Sequence, residues 1–415
     1  MTTTLASDGN VLWTLLLAIL VTSAGCAASR SHVVQPGAAV GSRQEAADRF
    51  GYRAERERLL MLLEDATEPG EQARLTMELA DLAERTRGEA LARGAELEES
   101  HDVAARAERD ELGRLAQRLM DDELKQLERI ARDFGECPRR DEALYRLTFA
   151  LLDRDSPDVA LRHARTLFAT YPASPYVAHA YVAFADYYFE KREIEQAIKL
   201  YEKAIAFQIS QAAPRAHLQL GRCRVEKGEH QGALQSFVDA ANAAQALGGE
   251  AGAGVRDEAL AELVKVYVRA GDPGKALAFF ERIDRDRIDD LLERLGAAYF
   301  DDGRFRESIA VNRQVADRVE CAPSMARAEV AVFEARLYLG EVTDPKAEGE
   351  ALVEVFTRLS RCLPPERLAE FAEAGAIAKE ALKTQAERYR REYEFSGEPA
   401  AAEMAADLEV MAESF

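Results

Sequence analysis

Tryptophan occurs once in this 415-residue chain, at Trp13, and the six histidines are scattered. The first scarcity withholds the side chain best suited to stacking on sugar rings, because Trp13 lies in an N-terminal leader. The second leaves no HExxH run, and the five cysteines make no CxxC pair, so no spacing gathers metal ligands. His217 and His230 stand on opposite helices of one unit and read as surface or core residues. Phosphate-cradling GxxxxGK loops and GxSxG elbows are also missing. Gly252-Ala253-Gly254 follows an Ala-rich helical stretch and not a strand, so it fails as a dinucleotide loop. Carboxylates are too widespread to single out a catalytic pair. The expectation is a protein with no metal, no cofactor and no enzymatic reaction.

Strand formers are thin as well: aromatics make up 7% of the chain, and alanine, leucine, glutamate and arginine dominate. Positive charge is in deficit, with 54 basic against 74 acidic residues and a formal net charge of −20. Loss of the leader changes this little, since Asp8 is its only charged side chain. That sign repels nucleic acid and anionic lipid surfaces. The arginines are interleaved with Glu and Asp at helical i,i+4 spacing, the pattern of solvated helix faces.

One apolar run stands out, Val11 to Thr22. As a helix it would reach roughly 18 Å, short of the hydrocarbon core of about 30 Å, so it reads as a signal peptide. It leads into Ser23-Ala24-Gly25-Cys26, which resembles the bacterial lipobox. That resemblance implies cleavage before Cys26, diacylglycerol on its thiol and acylation of the new amine, several chains together giving a stable anchor. Ser23 stands where the lipobox prefers Leu or Val, and residues 1–10 hold no Lys or Arg, so a secreted chain with an unmodified Cys26 is the alternative. Ala27 in place of Asp favours the outer membrane under the familiar sorting rule. Residues 27–42 collect Ser, Gly and Pro without periodicity and read as a flexible tether.

From residue 136 a two-helix pattern recurs. Its positions 4, 7, 8 and 11 alternate large and small residues, and positions 20, 24 and 27 read small, bulky, small. Residues 178–211 fill every slot with Tyr181, Phe184, Ala185, Tyr188, Ala197, Tyr201 and Ala204. Position 20 falls at Ala160, Ala197, Ala233, Ala276 and Ser308, with steps of 37, 36, 43 and 32. Gly221 and Gly296 occupy the small slot of helix A in units three and five. The long step contains the stretch Gly248 to Gly254, expected to be a flexible insertion. Ser308 and Asn312 make the fifth unit degenerate.

The pattern specifies an all-α fold: a right-handed superhelical solenoid of antiparallel helix pairs of the tetratricopeptide-repeat (TPR) type, with helical caps. The expected divisions are residues 1–25 (leader), 26–42 (tether), 43–135 (N-terminal helical layer, or a short coiled coil), 136–320 (five units), 321–363 (a degenerate sixth hairpin) and 364–415 (capping helices). Cys321 precedes a helix-opening Pro323, and Cys362 closes the antiparallel partner helix before Pro364-Pro365, so the two are expected to meet as a disulfide. Cys137 and Cys223 read as buried or unpaired thiols.

At Arg140 to Leu147, Tyr171 to Val177 and Ala180 to Phe189 the chain resembles a family of envelope TPR lipoproteins that includes a lipoprotein of the adventurous gliding-motility machinery. In general plan it is similar to BamD-like and cell-division-coordinator TPR proteins of the periplasm. The likeness covers about residues 55–285 and implies a non-catalytic adaptor tethered to the periplasmic side of the outer membrane. Its partners would be other envelope proteins in a complex for motility, secretion or outer-membrane assembly, with membrane contact through the lipid only and no nucleic acid. A peptidoglycan- or ligand-binding module linked to cell-wall synthesis or division is the alternative, and a cytoplasmic chaperone adaptor a third.

Helix A lines the inner wall of TPR arrays, with positions 2, 5, 9 and 12 facing the groove. Mapped here, these slots give Tyr145, Phe149, Val182, Asp186, Phe189, Leu218, Arg222, Val225, Lys265 and Val268 as a surface for an extended partner segment. Arg222 and Lys265 share position 9 and are placed to grip a carboxylate. The opposing reading pairs them with Glu226, Glu262 or one another.

Overall fold

The computed structural model describes residues 50–98, 100, 102–207, 211–318 and 321–415, so the leader, Cys26 and the tether lie outside the described residues. All regular structure among the described residues is helical. Two compact units meet within one helix, the first ending at Tyr187 and the second beginning at Tyr188.

The first unit contains α1 (Tyr52–Asp65), α2 (Pro69–Glu96), α3 (Val103–Asp133), α4 (Arg140–Asp153), α5 (Pro157–Thr170) and most of α6 (Tyr176–Glu190). Leucines on one stripe each of α1, α2 and α3 make its first core, among them Leu59, Leu79, Leu82, Leu115 and Leu119. Asp102 caps α3 by accepting from the Ala104 N–H at 3.2 Å. A buried ion cluster ties α4 to this layer. The Arg146 guanidinium, with 9% of its side chain exposed, lies 2.7 Å from Asp81, 3.0 Å from Glu84 and 2.8 Å from Glu123. Arg87 gives Glu123 a second partner at 3.1 Å. Such a pair locks register more than it adds stability, because desolvation offsets much of the attraction. Phe168 of α5 stacks on Tyr181 of α6 with ring centroids 4.6 Å apart.

The second unit continues with α7 (Ile194–Ile205), α8 (Ala213–Glu226), α9 (His230–Leu247), α10 (Gly249–Ala270), α11 (Ala276–Glu281), α12 (Ile288–Asp301) and α13 (Phe305–Ala316). Four further helices follow: α14 (Pro323–Leu339), α15 (Pro345–Cys362), α16 (Leu368–Ser396) and α17 (Pro399–Ala412).

The helix pairs close with one repeated turn. Asp155, Arg192, Gly228, Gly303 and Gly340 each take a positive φ of 53° to 74° between the first and second helix of a pair. The next amide donates back to the carbonyl five residues earlier, as in Ser156 to Leu151, Glu193 to Tyr188, Glu229 to Arg224, Arg304 to Tyr299 and Glu341 to Arg336, all at 2.8–3.0 Å. This closure satisfies a helix-end carbonyl within a very short loop, and glycine fits its left-handed residue best. Asp155 tolerates the position while accepting from the Tyr187 hydroxyl at 3.0 Å. Glycine at this turn in three of the five pairs is thus a backbone requirement. The fourth unit departs, turning through Asp272 and a 3₁₀ segment, Pro273–Lys275.

Close helix contact supplies the packing. Ala160, Ala197, Ala233, Ala276 and Ser308 are fully buried, as are Tyr201, Phe237 and Phe280 at the bulky slot. Ala185 is fully buried too. A Cβ built on Gly221 would lie 2.4 Å from the Phe237 ring, so a side chain there cannot coexist with the present ring position. In the fifth unit Asn312 takes the aromatic's place, its amide 2.5 Å from where a Gly296 Cβ would stand. Its Nδ2 donates to the Ser308 carbonyl at 3.0 Å, so the polar substitute is satisfied where it is buried. The degenerate unit therefore keeps the interlock by different chemistry. Leu218, Phe237, Leu263, Phe280, Leu295 and Val311 belong to one continuous core through units three to five.

The stretch Gly248 to Gly254 is a correction. It is no flexible insertion: Gly248 and Gly249, at φ 68° and 63°, reverse the chain, and α10 starts at Gly249. Gly252 explains the composition, since a Cβ there would come within 2.5 Å of the Ala244 carbonyl oxygen. The small residues serve a tight α9–α10 contact.

Helices α14 to α17 share a core that includes Phe333, Leu352, Phe356, Leu359, Leu382 and Leu408. The last two helices are thus packing members of that core, not only a polar lid. Cys321 and Cys362 are joined in a disulfide with Cα atoms 6.2 Å apart. Cys137 and Cys223 are buried thiols outside it. No helix among the described residues is long and apolar enough to cross a membrane.

Two outcomes follow from this packing. Gly221→Ala should lower stability by about 1–3 kcal/mol, whereas Gly113→Ala, on α3 with open space around it, should raise it by about 0.4–1 kcal/mol. Urea melts of the two variants compare them directly, and a stabilising Gly221→Ala would refute the interlock. Cys321→Ser with Cys362→Ser removes a cross-link spanning 41 residues and should cost about 4 kcal/mol, read as a lowered melting temperature without reductant.

Candidate partner-binding surfaces

The helix-A slots separate into buried and accessible groups. Val182 and Asp186 are buried on α6, and Leu218 on α8 and Val268 on α10 lie inside the repeat core. The expectation that these four line a groove is corrected. α6 carries eight buried residues around its circumference, so the helix is covered on more than one side, and a slot rule that assumes one open face fails there. Val225 packs against the same core as a half-buried side chain.

Tyr145, on α4, stacks on Tyr176 with ring centroids 5.5 Å apart and planes inclined by 20°. His179, one turn along α6, stands 5.7 Å from the Tyr145 ring. Phe149, one turn beyond Tyr145, is 39% exposed. These four rings form an aromatic face in the first unit. Burial raises the Tyr176 phenol, with Glu142 adding to the shift, and burial lowers the His179 imidazole, so both favour the neutral form. Phe189, half-buried near the end of α6, belongs to the second unit and is not part of this face.

Tyr176 and His179 were missed in the sequence reading. His179 occupies position 2 of the second unit, a slot that could have named it, whereas Tyr176 precedes the unit. Only the short turn of residues 171–175, between α5 and α6, brings its ring against Tyr145.

The cationic pair in the second unit is already engaged. Arg222 Nη2 donates to Glu258 at 2.5 Å and to Glu262 at 3.4 Å, while Nη1 donates to Gln219 at 3.2 Å. Lys265, with 68% of its side chain exposed, donates to the same Glu262 oxygen at 3.3 Å. The carboxylate these cations were expected to grip comes from the chain itself. Glu226 is not their partner, being paired with Arg192 at 3.2 Å.

That last contact is one rung of a series. Arg269–Asp302 at 3.3 Å, Arg306–Glu341 at 3.2 Å and Arg327–Glu293 at 2.9 Å repeat it at separations of 33 to 35 residues. Each joins sites about one repeat apart, which explains how so many charges coexist on this array. Exposed rungs add little stability individually.

Comparison with known proteins agrees with this geometry over a limited span. The tetratricopeptide repeat family profile matches residues 178–208. No curated protein matches the chain. Among solved structures, the C-terminal part of a TPR repeat-containing protein from Cytophaga hutchinsonii is 17% identical, with 65% of this chain and 95% of that one covered and a TM-score of 0.33. A tetratricopeptide repeat protein from Parabacteroides merdae is 15% identical, with 68% and 98% covered and a TM-score of 0.31. The fold is all-α, built from TPR-type helix pairs.

The two cations should differ in worth. Lys265→Ala should change stability by less than about 0.5 kcal/mol, and Arg222→Met, which breaks contacts to two carboxylates and an amide, should cost about 1 kcal/mol. Equal losses in denaturant melts would contradict the shared-carboxylate geometry.

Proposed function

We propose that this protein is a non-catalytic adaptor that holds partner proteins in a bacterial envelope complex, tethered to the periplasmic side of the outer membrane by lipid on Cys26. The observation that carries the binding role is the ring face of Tyr145, Phe149, Tyr176 and His179, set on helices that are themselves held in register. Aromatic side chains offer large contact area at small entropic cost, and rigid presentation lowers the cost of binding further. An extended segment of a partner carrying apolar or proline side chains suits such a face. The tetratricopeptide match over residues 178–208 supports a role in protein interaction. The lipobox-like run before Cys26 and the short apolar leader support the anchor. Motility, secretion or outer-membrane assembly is the setting suggested by the resemblance to envelope TPR lipoproteins.

The two parts have separate tests. Metabolic labelling with an alkyne fatty acid should mark the wild-type chain and not Cys26→Ser, and the variant should leave the detergent phase in phase partition. An unlabelled wild type ends the anchor reading. Tyr145→Ala with Phe149→Ala should cut crosslinked partner recovery from intact cells about tenfold or more while the helical circular-dichroism signal stays unchanged. Undiminished recovery removes the ring face from the account.

A further inference from the structure

The first unit holds a second feature, on α3, α4 and α5 and distinct from the ring face. A cleft of about 230 Å³ is lined by Glu128, Arg132, Arg140, Arg162, His163 and Thr166, over a floor of Leu144 and Ala131. Three guanidinium groups and an imidazole meet one carboxylate there, in a chain whose acidic residues outnumber its basic ones by 74 to 54. On and beside α4, Arg139 is taken up by Asp81 and Glu142, Arg146 by Asp81, Glu84, Glu123 and Glu142, and Arg154 by Asp121. In the cleft Arg132 follows suit, both arms of its fork on Asp133 at 2.8 and 3.0 Å. Arg140 and Arg162 do not, neither forming an ion pair among the described residues.

Arg140 is also held in place. Its Nε and Nη2 donate to the Ala131 carbonyl near the end of α3 at 3.3 and 2.8 Å, which fixes the guanidinium at the cleft wall and leaves Nη1 to a ligand. The Thr166 hydroxyl donates to the Arg162 carbonyl at 3.1 Å. Leu144 and Ala131 are buried, so the base of the cleft is apolar and weakens the screening of charge above it. Burial holds the His163 imidazole below its ordinary value, with Glu128 opposing and Arg162 reinforcing the shift.

We infer that this cleft binds a phosphoryl oxyanion, with Arg140 and Arg162 as its principal ligands and His163 as a third donor. Donors from two helices around one cavity suit a tetrahedral oxyanion better than a planar carboxylate, and guanidinium forks match phosphoryl oxygens. The group is supplied either free, as orthophosphate or a phosphomonoester, or as the headgroup of a lipid. Neither source depends on the adaptor role or on Cys26.

Calorimetric titration of the full chain in nonionic detergent tests this, with orthophosphate, glycerol phosphate, short-chain phosphatidic acid and short-chain phosphatidylcholine as probes. One saturable site for a phosphomonoester is expected, weakened about tenfold in Arg162→Gln and partly restored in Arg162→Lys. Arg162 is exposed, so the fold should survive the change, and unaltered thermal melting verifies that. Equal affinity for glycerol phosphate and phosphatidic acid identifies a free phosphate ligand, and tenfold tighter phosphatidic acid identifies a lipid headgroup. Absence of saturable binding to every probe, or binding by Arg162→Gln equal to wild type, overturns the inference.

Discussion

Close approach of paired helix axes is the constraint on which the rest depends. Two helices carrying large side chains at every contact cannot come within the separation at which their grooves interlock. Alanine at Ala160, Ala197, Ala233 and Ala276 permits that approach, and in units two to four the buried rings of Tyr201, Phe237 and Phe280 fill the space left beside it. In the pairs that close through Asp155, Arg192, Gly228, Gly303 and Gly340, a left-handed residue after the first helix joins two close helices by a very short loop, and the fourth unit uses a 3₁₀ turn in its place. Turn, small slot and ring are three consequences of one distance.

The same distance shapes the electrostatics. Successive pairs place charged side chains about one repeat apart within salt-bridge reach, and the Arg–Glu and Arg–Asp rungs of the second unit use this. Several arginines spread along the acidic chain thus meet carboxylates from a neighbouring pair. Arg140 and Arg162 form no ion pair among the described residues, and what sets them apart is that they line one cleft together with His163.

Much of the helix inventory was legible in the residues. The all-α class and the paired helices expected from the repeat slots correspond to observed helices, while the ends of those helices depend on caps and fraying. The cysteine pair was legible because two proline-marked helix ends had to lie together. The groove list was less so. Burial at Val182, Asp186 and Leu218 depends on what covers each helix, and a repeat position gives only the side of the helix, not its neighbours. The glycines at 248 to 254 misled for a related reason: glycine permits looseness and close contact equally, and only the Ala244 carbonyl beside Gly252 decides between them.

By itself, the sequence determined the helical class, the pairing of helices, the slots at which they touch and the pair of cysteines, because each follows from local periodicity and from side-chain size. The tertiary structure alone decided that Tyr176 joins Tyr145 and His179, that Glu262 already occupies the Arg222 and Lys265 side chains, and that two arginines of α4 and α5 share a cleft without forming an ion pair there. Those are relations among side chains on different helices, and their partners are chosen by packing distance, which no spacing along the chain encodes.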